Sequence, residues 1–243
     1  MNVTDCKLFI VDSGVANLGS ILNMYKRLGV KVSIAECAED VYEADKLILP
    51  GIGAFDEGMR RLEERGLAAA ITEKVREQDT PILGVCLGMQ LLTDESEEGK
   101  KPGLGLMSAR AKRFVFPSDS ALKVPHMGWN EVDVTRPDPL VESLSEGGER
   151  ARFYFVHSYY VECANAEDVL LTTVYGLEFH AGFRRGNIMG VQFHPEKSHR
   201  FGMRLLANFY NLPNVIHQGH TVPPIQRRQS DQDGQIQGSF VRR

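Results

Sequence analysis

Gly84-Val85-Cys86-Leu87-Gly88 sets a cysteine between two glycines, where the apolar run Pro81 to Val85 gives way to Leu87-Gly88-Met89-Gln90-Leu91. That is the layout of a nucleophile elbow, a sharp strand-to-helix turn of the G-x-S-x-G kind with a thiol in place of the hydroxyl. Glycine on either side lets backbone approach without a Cβ clash. The thiol then projects at the positive end of a helix, where its thiolate is favoured. Val191-Gln192-Phe193-His194-Pro195-Glu196 offers the base that such a thiol needs. His194 and Glu196 are two apart, so on an extended segment both side chains point to one face, and Pro195 suits a strand end or edge. Singly, each piece has a plainer reading: a buried structural cysteine, and a surface pair or two metal ligands. Together, Cys86, His194 and Glu196 make a nucleophile, a base and its orienter.

The elements around these motifs read as alternating strands and helices. Lys7 to Asp12 is an apolar first strand ending at Ser13-Gly14, and Leu18, Ile21, Leu22, Tyr25 and Leu28 recur at helical spacing before Gly29. Lys31 to Ile34 and Lys46 to Pro50 are further strands, the latter opening into Gly51-Ile52-Gly53, and helices are expected at about 54–64 and 67–78. Such alternation means parallel βαβ units, with the site at the carboxyl ends of the strands. The second half changes to short strand-like runs: Ala111 to Phe116, Asn130 to Val134, Phe153 to Val161, Val169 to Tyr175 and Ile188 to Phe193. Turn residues between them predict antiparallel additions to the sheet. Phe201, Leu205, Leu206 and Phe209 mark a last helix ending near Leu212-Pro213. The expected organisation is one domain over 1–213, followed by a polar extension over 214–243 that does not join the core and is expected to be disordered.

Composition narrows the possible functions. The chain has 243 residues, 42% hydrophobic and 25% charged, so a single large domain can bury a full core. A formal net charge of -4 argues against a nucleic-acid scaffold. Neither an apolar run of membrane-spanning length nor a leader-like start is present, which predicts a cytoplasmic protein. Cys6, Cys37, Cys86 and Cys163 are scattered with no C-x-x-C, so neither a disulfide framework nor a zinc site is expected. Apart from Cys86 they read as small buried or half-buried hydrophobes, and no metal or cofactor is expected.

With these residues assembled, the chain resembles the class I (triad-type) glutamine amidotransferases over about residues 6 to 212. Within them it is most similar to the glutaminase subunits of imidazole glycerol phosphate synthase. The elbow and Gln192-Phe193-His194-Pro195-Glu196 are common to the class. Asp12 to Ser20, Leu49 to Gly53, Val124 to Asn130, Phe155 to Tyr159 and His194 to Ser198 carry the closer likeness. The resemblance implies a flavodoxin-like α/β fold, a central mostly parallel sheet flanked by helices with added antiparallel strands. It implies L-glutamine as substrate, attacked by Cys86, with His194 moving the proton and Glu196 orienting the imidazole. Backbone N–H groups of Leu87 and of the Ile52-Gly53 loop would hold the oxyanion, and the glycines beside Ile52 would let that loop move. Gly51, Gln90, Glu98, Ser158 and Tyr159 would line the substrate pocket, Glu98 receiving the α-ammonium; the plainer reading of Glu98 is a solvated acid in the run Asp94 to Glu98. Phe153 and Phe155 read as core, and His126, His157 and His180 as structural.

The resemblance also implies a partner, a separate (β/α)8 cyclase subunit forming a heterodimer and taking up the ammonia. Asn17, Tyr154 and Lys197 would lie on that interface; the plainer reading of Lys197 is a solvated lysine. Two other readings stay open from sequence. One is a paralogue feeding ammonia to a different synthase, such as one amidating a nucleotide-linked sugar. The other is a catalytically silent regulatory subunit that keeps the fold.

Overall fold

The computed structural model describes residues 6–14, 18–145 and 148–213; Asn17 and the 214–243 extension lie outside the described residues. The first half alternates: β1 (Leu8–Val11), α1 (Leu18–Arg27), β2 (Val32–Ala35), α2 (Ala38–Glu43), β3 (Lys46–Gly51), α3 (Phe55–Glu64), α4 (Leu67–Glu77), β4 (Ile82–Cys86) and α5 (Leu87–Leu91). The strands run parallel in the order β2-β1-β3-β4. Alternate side chains of β1, β3 and β4 enter different cores. Leu8, Ile10, Ile48 and Leu83 meet Ile21, Met24 and Tyr25 of α1, whereas Phe9, Val11, Leu47 and Leu49 join Phe55, Met59, Leu67 and Ile71 of α3 and α4. Burial on both faces is why these strands are continuous apolar runs. The short helix α2 was not expected, because six residues with Val41 as its one buried side chain carry too little periodicity.

The second half adds β5 (Glu95–Ser96), β6 (Ala109–Arg113), β7 (His126–Glu131), β8 (Asp133–Val134), β9 (Arg152–His157), β10 (Tyr159–Cys163), β11 (Val169–Tyr175), β12 (Leu177–Arg185), β13 (Ile188–Val191) and the helix α6 (His199–Asn211). Strand β13 lies parallel to β4, and the sheet then continues antiparallel through β12, β10 and β6. The nine-residue β12 was missed, although Leu177, Phe179, Ala181 and Phe183 alternate along it. The expected strand from Phe153 to Val161 is really two. At Ser158 the chain changes sheets: β9 pairs with β7 in a separate two-stranded sheet, and β10 joins the main one. Phe153, Phe155, His157, Val161 and Cys163 are all buried, so the alternation runs straight through the break and hides it. Residues 130–134 likewise divide between β7 and β8, and the strand expected at Ala111 to Phe116 starts and stops earlier.

Helix α6 is tied to the N-terminal half by two long-range contacts. Tyr25 Oη donates to Leu206 C=O at 3.1 Å, and the buried Lys46 Nζ donates to Leu212 C=O at 2.5 Å and to Tyr210 C=O. A lysine ammonium among the last carbonyls of a helix satisfies groups that have no partner within it. This fixes α6 over the turn that follows β13.

Candidate active site

The elbow is built by close backbone packing. A Cβ on Gly88 would sit 1.7 Å from the Leu49 carbonyl oxygen, and one on Gly84 would sit 2.7 Å from that of Gly88. Only glycine lets α5 press against β3 and β4 at this point. Cys86, between them, has φ 56° and ψ -113°, a strained conformation for a residue with a Cβ, costing on the order of 1–3 kcal/mol. That turn stops the strand abruptly and presents the sulfur at the strand's carboxyl end.

His194 follows β13, and its backbone is clamped to β9. Its N–H donates to Tyr154 C=O at 2.9 Å, and its C=O accepts from Ser198 Oγ at 2.6 Å. Ser198 Oγ in turn accepts from Tyr154 N–H at 3.0 Å. Pro195–Lys197 is a 3-10 turn rather than a strand. His194 and Glu196 therefore meet by curling, not by sharing a strand face: Nδ1 and Glu196 Oε1 are 2.7 Å apart, with both side chains at most 6% exposed. Gly202 of α6 packs against Pro195, where a Cβ would meet the carbonyl oxygen at 1.7 Å, so the helix backs this turn directly.

Burial pushes the His194 imidazole down, but Cys86 and Glu196 beside it outweigh burial and lift it to about 9. His194 Nε2 and Glu196 Oε2 are buried with no hydrogen-bond partner among the described residues. The sulfur instead approaches Val156 C=O at 4.0 Å, and Gln192 Nε2 approaches the sulfur at 3.8 Å.

These groups face a cavity of about 380 Å³, within the usual range for small-molecule sites. Its lining brings together ten of the residues singled out from sequence: Cys86, His194, Leu87, Ile52, Gly53, Gln90, Glu98, Ser158, Tyr159 and Lys197. Glu196 stands behind His194 and outside the lining. Gly51 is also outside the lining; it is paired with Cys86 across β3 and β4, and a Cβ there would meet Leu87 Cβ at 2.9 Å. Glu98 combines its two readings, being solvent-exposed and at the pocket wall, where Oε2 accepts the Phe55 N–H at 2.9 Å. Tyr154 and Lys197 pair at the rim, the ammonium 5.8 Å from the ring centroid.

Pro125, Val156 and His157 also line the cavity, and sequence reasoning did not place them there. His157 Nδ1 lies 2.8 Å from Tyr159 C=O, which only accepts, so that nitrogen carries the proton. Its bare Nε2 then accepts from His126 Nδ1 at 3.1 Å. Burial holds His157 down at about 3 and His126 at about 4, so this pair is neutral where His194 is charged. His180 is structural, accepting the Cys163 N–H at 3.0 Å. Among the described residues, no group of three or more His, Cys, Asp or Glu is placed to hold a metal ion.

A thiol on a strand–helix elbow, a carboxylate-paired histidine and a small pocket at the carboxyl ends of the parallel strands describe a triad-type α/β enzyme. The chain belongs to the class-I glutamine amidotransferases, whose family model matches residues 9–212. Among its relatives is imidazole glycerol phosphate synthase subunit HisH 2 of Pseudomonas aeruginosa. It is 47% identical over 205 residues, covering 84% of this chain and 99% of the relative. The HisH 2 subunit of Methanococcus maripaludis is 48% identical over 200 residues, 82% of this chain and 96% of the relative. The HisH subunit of Bdellovibrio bacteriovorus is 46% identical over 206 residues, 84% and 98%. Solved structures share the fold at lower identity. PurLQS from Thermotoga maritima aligns with a TM-score of 0.65 at 18% identity, covering 86% of this chain and 99% of that one. The glutaminase domain of CTPS from Trypanosoma brucei aligns with a TM-score of 0.59 at 18% identity, covering 84% and 93%.

Proposed function

We propose that this chain is the glutaminase subunit of an imidazole glycerol phosphate synthase, releasing ammonia from L-glutamine for a separate (β/α)8 cyclase subunit in a cytoplasmic heterodimer. The observation that carries the reading is the 46–48% identity to HisH subunits along 96–99% of their length. In this reading the Cys86 proton rests on His194 Nε2, whose pKa is lifted to about 9, and the thiolate Sγ attacks the side-chain amide carbon of glutamine. The tetrahedral oxyanion accepts from the Leu87 N–H and from an N–H of the Ile52-Gly53 loop. Ammonia leaves with the proton from His194, and water, deprotonated by the same imidazole, hydrolyses the glutamyl thioester. Glu196 holds the proton on Nδ1, so that Nε2 faces the thiol.

The pocket chemistry supports glutamine as the occupant. Both N–H groups of the Gln90 amide are used, on Tyr159 C=O at 3.1 Å and Gln192 Oε1 at 3.0 Å. Gln90 therefore offers an acceptor, Oε1, to the pocket, and Glu98 offers a carboxylate; both suit a substrate rich in N–H donors. Ser158 and Tyr159 contribute backbone polar groups. Tyr154 and Lys197, at the rim, and Asn17 are the proposed partner contacts.

The test is reconstitution with the cyclase subunit from the same organism. Glutamine should support imidazole glycerol phosphate formation. Cys86→Ala should abolish that activity while leaving synthesis from ammonium salts intact, because ammonia is made and used on different chains. Release of glutamate by Cys86→Ala at the native rate would overturn the assignment of the nucleophile. Normal glutaminase activity with no product from any cyclase partner would overturn the assignment of the acceptor.

A further inference from the structure

Gln192 has no part in the chemistry described so far, yet it is fully buried and touches the sulfur of Cys86. Its amide orientation follows from one backbone carbonyl. Tyr159 C=O can only accept, so the Gln90 atom 3.1 Å from it is Nε2 and donates. The second hydrogen of that nitrogen goes to the Gln192 atom 3.0 Å away, which must then be the oxygen Oε1. With Oε1 so engaged, Gln192 can turn only its NH2 group toward Cys86, and Nε2 lies 3.8 Å from Sγ. Reversing the amide would set two NH2 groups against each other and a carbonyl against the sulfur. His157 Nδ1–H fills the other lone pair of Tyr159 C=O at 2.8 Å, which keeps that carbonyl in place.

We propose that Gln192 is a further catalytic residue of this site, an amide donor that stabilises the Cys86 thiolate, held in its donating orientation by Gln90 and Tyr159. The inference rests on the reading of Cys86 as the nucleophile. Val156 C=O and Gln192 Nε2 both lie within hydrogen-bond distance of the sulfur, and they favour different states. Val156 C=O, at 4.0 Å, accepts from the neutral S–H and repels a thiolate. The Gln192 N–H gains most when the sulfur carries charge, because hydrogen bonds to an ionised acceptor are roughly twice as strong as neutral ones. When the proton passes from Sγ to His194 Nε2, the bond to Val156 is lost and that to Gln192 strengthens. No other reactant is needed. Buried at the elbow and outside the pocket lining, Gln192 acts on the sulfur and not on bound glutamine.

Two variants test this. Gln192→Glu keeps the shape and an acceptor for Gln90 but turns an oxygen toward the sulfur; Gln192→Met removes the donor without adding charge. The readout is the pH–rate profile for iodoacetamide alkylation of Cys86 in the full-length protein, followed on the peptide that contains it so that Cys6, Cys37 and Cys163 do not interfere. Both profiles should shift to higher pH, Gln192→Glu further, with alkylation at pH 7 slowed roughly ten-fold or more in Gln192→Glu. In the partner complex, kcat for glutamine hydrolysis should fall with KM nearly unchanged. Wild-type profiles and kcat in a folded Gln192→Met would overturn the role of Gln192. Glutaminase activity surviving Cys86→Ala would instead overturn the nucleophile assignment, whatever the alkylation profiles.

Discussion

Glu196→Gln removes one charge from the buried His194–Glu196 pair and preserves its shape. In the wild type, burial lowers the imidazole while Cys86 and Glu196 raise it, the balance lying at about 9 against an ordinary 6.5. Without the carboxylate charge, burial is opposed by Cys86 alone, and the pKa of His194 should fall from about 9 toward 6.5. The imidazolium that protonates departing ammonia exists below that pKa. The alkaline limb of the kcat profile should therefore move from near pH 9 toward neutrality. A second loss comes from orientation. A carboxylate 2.7 Å from Nδ1 tolerates only the Nδ1–H form, whereas an amide can meet either tautomer. Loss of a comparable orienter in other triads costs on the order of 10⁴-fold in kcat, so about 10³-fold or more is expected at pH 8. Glutamate release at saturating glutamine, from pH 5.5 to 10 with the cyclase partner in excess, reads both effects. A loss below ten-fold with the limb still near pH 9 would refute the reasoning. The pair also leaves a signature in stability. A raised folded-state pKa contributes stability that is fully present below about pH 6.5 and is lost as pH rises through about 9. The stability difference between wild type and Glu196→Gln should accordingly shrink at alkaline pH, as read by urea unfolding.

Gly88→Ala drives a Cβ into the Leu49 carbonyl, 1.7 Å away; a loss of about 3 kcal/mol or more is expected, and an unchanged urea midpoint would show that the elbow can relax. His126 and His157 titrate at about 4 and about 3 when folded, below the ordinary 6.5, so their stability contribution is present above pH 6.5 and lost as pH falls through 4 to 3. His126→Phe, which keeps the stacking against Tyr175 and Phe155, should flatten that acid slope; an unaltered slope would mean that other groups control it. Lys197→Ala should weaken assembly or coupling with the cyclase by about 1 kcal/mol or more and barely alter folding. Unchanged affinity and unchanged glutamine-to-product stoichiometry would make Lys197 a bystander.

Sequence alone determined the parts of this protein whose physics is local. Strands β1, β3 and β4 are buried on both faces by a single short run each, so their apolar character is continuous and visible. The elbow signal is equally local: two glycines and a cysteine lie within five residues at the change from strand to helix. The pairing of His194 with Glu196 was legible from spacing, but by a route the fold does not take, since a 3-10 turn and not a shared strand face joins them.

Tertiary structure alone decided which distant segments meet. Alternation in Phe153 to Cys163 is the same whether the chain stays in one sheet or crosses at Ser158 into another, so the break was invisible. The donor on the sulfur was hidden for a related reason. Gln192 is recognisable as a donor only once Tyr159 C=O orients Gln90 and Gln90 orients Gln192, a chain of hydrogen bonds among residues 69 to 106 positions apart. A hydrogen bond has a direction that residue type does not specify; the groups packed around an amide choose which end faces which neighbour, and packing is a property of the folded chain.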